Sequence, residues 1–234
     1  MPRETRDAKR IRTEAIIARL RGAYPDATIS LEYGTDFQLL VAVMLSAQCT
    51  DAMVNKVTKR LFQRYHTVDD FADANARTFQ QEIRSTGFYR NKTKAVIAAA
   101  KAVRDRFAGR VPDTMEELDS IPGVARKTAN VVLWNAFRKT EGIAVDTHVT
   151  RITNLLRLTR RHDPVKIEQD LVRLVPKDQW GVFTHHIIDH GRAVCIARRP
   201  RCEACVVNDL CPSAARPVDP ARLAEALAGS KATA

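Results

Sequence analysis

Four of the five cysteines in this 234-residue chain lie within the single run CIARRPRCEACVVNDLC. The spacing C-x6-C-x2-C-x5-C brings Cys195, Cys202, Cys205 and Cys211 close enough to surround one compact centre. Such crowding in a chain without a secretory signal indicates a metal centre and not disulfides. Both a [4Fe–4S] cluster and a structural zinc ion take four cysteines. Zinc ribbons usually present two C-x2-C pairs and this run has one, so the spacing favours iron–sulfur, with zinc as the alternative.

The charge balance points to a polyanionic partner. Lys and Arg outnumber Asp and Glu by 38 to 27, which gives a net charge of +11 and favours nucleic acid. A basic protein with no such partner is the alternative. The basic residues are dispersed along the chain, which disfavours a membrane surface, and the longest apolar run, Leu39 to Leu45, is too short to span a bilayer. No signal or transit peptide is recognisable, so we expect a cytoplasmic protein.

Apolar residues recur at helical spacing nearly throughout, and no alternating strand pattern appears, so the sequence predicts an all-α fold. The run ending at Leu45 is apolar on all sides and is expected to form a central helix. Gly109 and Gly191 are expected to end the helices that precede them. After Cys211 the composition changes, which predicts a flexible tail over residues 213–234 with at most one short helix near 221–228.

A Pro-Gly turn leads directly into an apolar run in the stretch DSIPGVARKTANVVLW. A Walker phosphate loop is excluded, because Ile121 and Arg126 occupy its two glycine positions. The remaining pattern is helix, turn, helix, whose backbone N–H groups can bind a phosphate without reading bases. Lys127 follows the turn, and it can serve either as a phosphate contact or as a nucleophile. An amine attacks only in its neutral form, which a helix start and an apolar pocket both favour.

Asp146 follows the apolar residues Ile143-Ala144-Val145 and precedes another helical stripe. Its position predicts a helix N-cap. A capping carboxylate can still face a cleft, take a proton from an amine and stabilise positive charge developing on a sugar. Further along, His186 and His190 lie four residues apart, but zinc would need a third ligand on their face. We expect these histidines to be hydrogen-bonded in the core.

Taken in series, MLSAQCTD, IPGVARKTANVV, VDTH and the four-cysteine loop resemble the endonuclease III family. Members are DNA glycosylase/AP lyases of the helix-hairpin-helix superfamily with an iron–sulfur cluster. The resemblance implies two helical lobes that flank a DNA cleft. One lobe is a six-helix barrel over residues 29–139, with its helix-hairpin-helix at about 113–137. The other is a cluster domain built from residues 1–28 and 140–212.

The resemblance also implies roles for individual residues. Lys127 matches the lysine that attacks C1′, and Asp146 matches the catalytic aspartate. Gln48 matches the glutamine that fills the gap left by the flipped base, and Phe88 matches the apolar wedge in the other strand. The remaining residues assigned to DNA contact are Gly123, Ala125, Arg126, Thr128, His148, Arg198 and Arg199. The four cysteines are assigned to a [4Fe–4S] cluster.

The function implied is removal of oxidised pyrimidines from double-stranded DNA through a lysine Schiff base, then β-elimination 3′ to the abasic site. The expected partner is duplex DNA with damaged bases or abasic sites, bound by a monomer associated with a bacterial nucleoid. One alternative is a monofunctional adenine mismatch glycosylase, disfavoured because Ala42 stands where those enzymes have glutamate. A second is a non-catalytic DNA-binding iron–sulfur protein.

One position departs from the family pattern. The hairpin usually reads Leu-Pro-Gly-Val-Gly, and here Ala125 takes the final glycine position. Alanine keeps the N–H that would meet a phosphate but disfavours a positive φ. We therefore expect either a near-helical backbone at Ala125 or an altered hairpin that binds DNA less well.

Overall fold

The computed structural model describes residues 4–214 and is helical within them, without a strand, which confirms the all-α expectation. Short 3₁₀ turns lie at Arg84–Thr86, Lys177–Gln179, Cys202–Ala204 and Asn208–Leu210. The α-helices of this part of the chain are α1 Arg6–Ala23, α2 Asp36–Leu45, α3 Asp51–Leu61, α4 Val68–Ala72, α5 Ala76–Glu82, α6 Tyr89–Phe107, α7 Met115–Asp119, α8 Arg126–Phe137, α9 Thr147–Leu155, α10 Pro164–Leu171 and α11 Trp180–Ala193.

Most of these helices begin at a side chain that accepts a hydrogen bond from an N–H in the first turn, which satisfies one of the otherwise unpaired donors there. The capping residues are Thr5, Thr35, Thr50, Thr67, Asn75, Thr114, Asp146 and Asp163. No side-chain cap is present at Phe88, Ala125 or Gln179, which precede α6, α8 and α11.

One structural unit comprises Ile29–Glu141 and contains α2 to α8. Its core is built around α2, in which every residue from Leu39 to Leu45 is buried, as the sequence predicted. Phe71 adds an aromatic group by packing edge-on against Phe37 and Phe79. Gly109, at φ +75, follows the end of α6 as predicted.

The second unit combines the residues up to Thr28 with those from Gly142 onward. Its core joins α1 to α9, α10 and α11 through the buried residues Ile16, Leu20, Ile152, Leu171 and Phe183. The assignment of the two units as a six-helix barrel and a cluster domain stays a prediction of the family resemblance.

The expectation for Gly191 is wrong. This glycine lies inside α11, which continues to Ala193. A Cβ at Gly191 would stand 2.5 Å from Nδ1 of His148 and 2.9 Å from Cδ1 of Ile152, both on α9. The glycine therefore lets α9 approach α11 closely and does not end the helix. From residue 215 on, the predicted tail and its short helix lie outside the described residues.

Among residues 4–214, no helix has both the length and the apolar character needed to cross a bilayer.

Candidate functional site

The hairpin consists of α7, a turn through Ile121 and Gly123, and α8. Gly123 has φ +80, a conformation that L-residues with side chains rarely adopt. A Cβ there would also stand 2.8 Å from the Cβ of Ala95 on α6 and 3.0 Å from Cε of Met44 on α2. Glycine is required twice at this position, once by the backbone and once by the close approach of two neighbouring helices.

Ala125 is the residue immediately before α8, and its backbone is extended at φ −98 and ψ 165. The expectation of a near-helical backbone is therefore wrong, and no positive φ is required of the alanine. The alternative, an altered hairpin that binds DNA less well, stays a prediction. The side chain is exposed and provides no cap. The first N–H groups of α8 lack a side-chain cap, which is the arrangement that binds anions at a helix start.

Lys127 is the second residue of α8 and its side chain is exposed. Among the described residues its ammonium has no ion pair or hydrogen bond. Arg126, also exposed, donates a hydrogen bond to the carbonyl of Glu141 at 3.4 Å, while Thr128 is half-buried. The local structure thus presents Lys127 at the surface just beyond the turn.

Gln48 and Phe88 are both held in the left-handed backbone region, with φ of +53 and +46. Such a conformation costs a non-glycine residue on the order of 1–3 kcal/mol and persists only where surrounding structure imposes it. Both side chains are exposed, Phe88 to 63%. They line one open cavity of about 310 Å³, to which Gly123 and Lys92 also contribute. The structure therefore brings Gln48, Phe88 and the hairpin turn together.

Lys92 is buried beneath this cavity, with a relative exposure of 7%. Its Nζ donates hydrogen bonds of 2.7 Å to the carbonyls of Leu45 and Thr86. Leu45 ends α2 three residues before Gln48, and Thr86 ends a 3₁₀ turn two residues before Phe88. Burial lowers the pKa of Lys92, and the charge of Cys49 opposes that shift. One buried ammonium thus hydrogen-bonds to the backbone just before each of the two loops that carry Gln48 and Phe88.

The sequence reasoning missed Lys92, although a signal was available. Lys92 stands four residues before Val96 on the apolar stripe of α6, a position that normally faces the core. A lysine there predicts a buried amine with fixed acceptors.

Asp146 is the N-cap of α9, as predicted, and its Oδ1 accepts a hydrogen bond of 2.7 Å from the N–H of Val149. Its Oδ2 has no partner among the described residues, and the side chain is half-exposed. His148, the second residue of the same helix, has its Nδ1 buried against α11 without a hydrogen bond from the described residues. The carboxylate therefore keeps one oxygen free to accept a proton.

The four cysteines face one small cavity of about 60 Å³, which also has an apolar lining from Ile152, Leu156 and Val207. All four are free thiols. Burial raises the pKa of Cys205 to about 12, and the neighbouring thiols add to the rise. A thiolate here therefore needs a cationic centre beside it, so the donor set fits a metal cluster.

Two side chains outside the cysteine run contact these sulfurs. Arg151 donates through Nη1 to Sγ of Cys195 at 3.6 Å. Nε2 of His190 lies 3.5 Å from Sγ of Cys205, while its Nδ1 lies 3.1 Å from the hydroxyl of Tyr24. Burial, with the charge of Arg151 adding to it, lowers the pKa of His190 to about 4, so its ring is neutral at neutral pH. A Tyr24 hydroxyl that donates to Nδ1 leaves the ring proton on Nε2, directed at the sulfur.

His190 is thus a hydrogen-bonded core histidine, as predicted. Arg198 and Arg199 lie exposed in the loop between Cys195 and Cys202. Their assignment to DNA contact stays a prediction, as do the assignments of the other contact residues.

Two models of known protein families match the chain. The family model of the HhH-GPD superfamily base excision DNA repair proteins matches residues 41–177. A second model, the iron–sulfur binding domain of endonuclease III, matches residues 195–211. That match decides between the alternatives left open by the cysteine spacing and implies a [4Fe–4S] cluster. The assignment of the four cysteines as its ligands stays a prediction.

Similar proteins cover nearly the same length. The endonuclease III of Synechocystis sp. is 51% identical over 88% of this chain and 94% of its own. That of Escherichia coli K12 is 39% identical over 84% of this chain and 92% of its own. A non-covalent endonuclease III–DNA complex and a trapped endonuclease III–DNA covalent intermediate each superpose with a TM-score of 0.83 at 40% identity. Each covers 88% of this chain and 96% of the other chain.

The helix-hairpin-helix, the four-thiol cavity and the extent of these matches lead to one conclusion. The chain belongs to the endonuclease III family, the bifunctional DNA glycosylase/AP lyases of base excision repair.

Proposed function

We propose that this chain removes oxidised pyrimidines from double-stranded DNA through a Schiff base on Lys127 and then cuts the strand 3′ to the abasic site. The observation that carries the proposal is the placement of Lys127, exposed and without a partner among the described residues, at the uncapped start of α8. A similar protein, 40% identical, is known as a trapped covalent intermediate with DNA. A free amine beside an anion-binding turn is suited to the same chemistry.

The proposed reaction has two stages. The neutral Nζ of Lys127 attacks C1′ of the damaged nucleotide, the bond from C1′ to the base breaks, and the base leaves with a proton. The sugar opens and a protonated Schiff base joins C1′ to Nζ. Loss of a proton from C2′ then breaks the C3′–oxygen bond and cuts the strand, and water releases the lysine. We assign Asp146 the proton acceptance from the amine, because its Oδ2 has no partner among residues 4–214.

DNA engagement in this proposal uses the surface of the Ile29–Glu141 unit. The uncapped helix starts after Phe88 and Ala125 offer N–H groups to phosphates. Gln48 fills the space left by the flipped nucleotide, and Phe88 wedges the opposite strand. Their left-handed backbones direct both side chains outward from well-packed helices. The two side chains offset the cost of unstacking the base, which is a few kcal/mol. A fixed backbone at these residues therefore favours extrusion of the base.

The monofunctional alternative is not favoured. Ala42 is completely buried in the middle of α2 and carries no acid. We also propose a monomeric enzyme that acts on damaged bases and abasic sites in duplex DNA. The bacterial origin of the similar proteins supports its association with a nucleoid.

Borohydride trapping tests the proposal. Wild-type protein incubated with a duplex that contains one oxidised pyrimidine should yield a covalent protein–DNA adduct on reduction. Lys127→Ala should yield none. The matched control is Lys59→Ala, which removes an exposed lysine from α3 in the same unit. Trapping by Lys127→Ala at the wild-type level would refute the role of this lysine, while base release without trapping in wild type would refute the lyase activity.

A further inference from the structure

A second open cavity, of about 900 Å³, lies in the unit that holds the cysteines, and we call it the basic groove. Three stretches far apart in sequence supply most of its lining: residues 4–12 at and before the start of α1, the segment 157–161 that links α9 to α10, and the stretch from Asp170 to Leu174. Pro212 completes the lining. None of the residues assigned to catalysis, DNA contact or the cluster lines it. The sequence gives no sign of it, because only folding brings these stretches together.

The lining of the basic groove is strongly cationic. Seven cationic side chains face two acidic ones, Glu4 and Asp170, which leaves an excess of five positive charges. The whole chain carries a net +11, so this one groove holds nearly half of that excess. The cationic residues are Arg6, Lys9, Arg12, Arg157, Arg160, Arg161 and Arg173.

Both acidic residues already have partners within the groove wall. Glu4 accepts two hydrogen bonds from the guanidinium of Arg12, at 2.7 and 2.9 Å. Asp170 accepts one from the hydroxyl of Thr159 at 2.7 Å. In contrast, no ion pair neutralises Arg160, Arg161 or Arg173 among residues 4–214, and all three are exposed. Their mutual repulsion is left uncompensated by the protein itself.

The groove wall is held in place by hydrogen bonds and not only by charge. Nη1 of Arg12 donates to the carbonyls of Leu156 and Leu210, at 2.8 and 3.1 Å. The backbone N–H of Arg161 donates to the hydroxyl of Thr159 at 3.0 Å, and the carbonyl of Arg161 accepts from the side-chain amide of Asn154 at 2.8 Å. The linking segment therefore presents its arginines from a fixed backbone.

We propose that the basic groove binds the phosphate backbone of duplex DNA, as a contact separate from the hairpin. Guanidinium groups match phosphate oxygens in pairs, and an arginine-rich, fixed wall suits a regular array of phosphates. Among residues 4–214, no aromatic residue lines the groove, so this part of the chain offers none of the stacking platforms that single-stranded nucleic acids use. The described lining also holds no methionine, and aromatic residues and methionine are typical of the centres of protein interfaces. The choice of DNA as the polyanion rests on the proposed function.

The salt dependence of binding to an undamaged duplex tests the groove. The variant carries Arg160→Gln, Arg161→Gln and Arg173→Gln; Arg157 is left in place because its φ is +52. The control carries Arg60→Gln, Arg77→Gln and Arg110→Gln, which removes the same charge from exposed positions of the other unit. The slope of log K against log salt is negative, and each lost phosphate contact reduces its magnitude by about 1. The magnitude should fall by about 2–3 in the groove variant and by less than about 1 in the control.

The outcome separates this proposal from the proposed function. Binding to undamaged DNA requires neither Lys127 nor a lesion, so a failed excision assay leaves the groove measurement intact. Single-turnover excision at saturating enzyme should be the same in the groove variant and the control, and an equal circular dichroism spectrum checks folding. Equal salt slopes for the groove variant and the control would overturn the proposal.

Discussion

Replacing Lys92 by methionine removes one buried charge and two hydrogen bonds while keeping most of the side-chain volume. In the wild type the ammonium holds the carbonyls of Leu45 and Thr86, both at 2.7 Å and both buried. Methionine cannot donate, so each carbonyl loses the partner it has here. The loops that carry Gln48 and Phe88 begin within three residues of these carbonyls.

The expected loss of stability follows from these contacts. A buried carbonyl left without its partner costs about 1–3 kcal/mol, so two cost about 2–6 kcal/mol. Removal of the buried ammonium offsets part of this, because its desolvation, seen in the lowered pKa of Lys92, is no longer required. We expect Lys92→Met to lower the free energy of unfolding of the protein by about 2–4 kcal/mol.

The difference in the free energy of unfolding between the wild type and Lys92→Met should depend on pH, with a sign set by the pKa of Lys92. The pKa of Lys92 in the folded state lies below its ordinary value of 10.5. Protonation of this amine is therefore less favourable in the folded than in the unfolded chain. The resulting penalty is complete below the folded pKa and disappears as the pH rises from the folded pKa to 10.5. The wild type should gain stability across that window and Lys92→Met should not, so the gap between them widens with pH.

Urea unfolding followed by circular dichroism, at neutral pH and again near pH 10, measures both effects. Lys101→Met is the control, since it removes an exposed lysine from the same helix. On duplex substrate the Lys92 variant should excise bases more slowly than the control, whereas cleavage of an abasic site in single-stranded DNA should be nearly unaffected. A stability of Lys92→Met within about 0.5 kcal/mol of the control would refute the reasoning.

Three further predictions concern the hairpin and the cluster. Gly123→Ala should lose DNA affinity by at least tenfold and lower the melting temperature, because its Cβ would meet Ala95 at 2.8 Å on a backbone at φ +80. Ala125→Gly should change affinity less than about twofold in the same fluorescence titration, since position 125 is extended and exposed; a large gain would show that the alanine weakens the hairpin. Cys205→Ser should lose the visible absorbance of the iron–sulfur cluster and melt at a lower temperature, because a buried hydroxyl is a poor substitute for a thiolate. Retention of full absorbance in Cys205→Ser would contradict the assignment of that ligand.

Local features of the fold and the site were predictable from sequence. The N-cap role of Asp146, the central position of the helix ending at Leu45 and the cluster-forming cysteines all follow from spacing or from chemistry within a few residues. The Pro-Gly turn predicted Lys127 at a helix start, but its assignment as the nucleophile came from the family resemblance and stays a prediction. The conformation of Ala125 could not be predicted from sequence, because an extended and a near-helical residue both fit the same short stretch. Only the packing of Gly123 against α2 and α6 decides the turn.

The sequence by itself determined the all-α class and the N-cap role of Asp146, because both depend on interactions between near neighbours in the chain. Its cysteine spacing also predicted the cluster ligands. Only the tertiary structure decided that Lys92 is buried under Gln48 and Phe88, that Gly191 lets α9 approach α11 closely, and that arginines from three distant stretches share one groove. Those arrangements depend on contacts between residues far apart in sequence. Their free energies are set by burial and distance in the folded state, which no local pattern records.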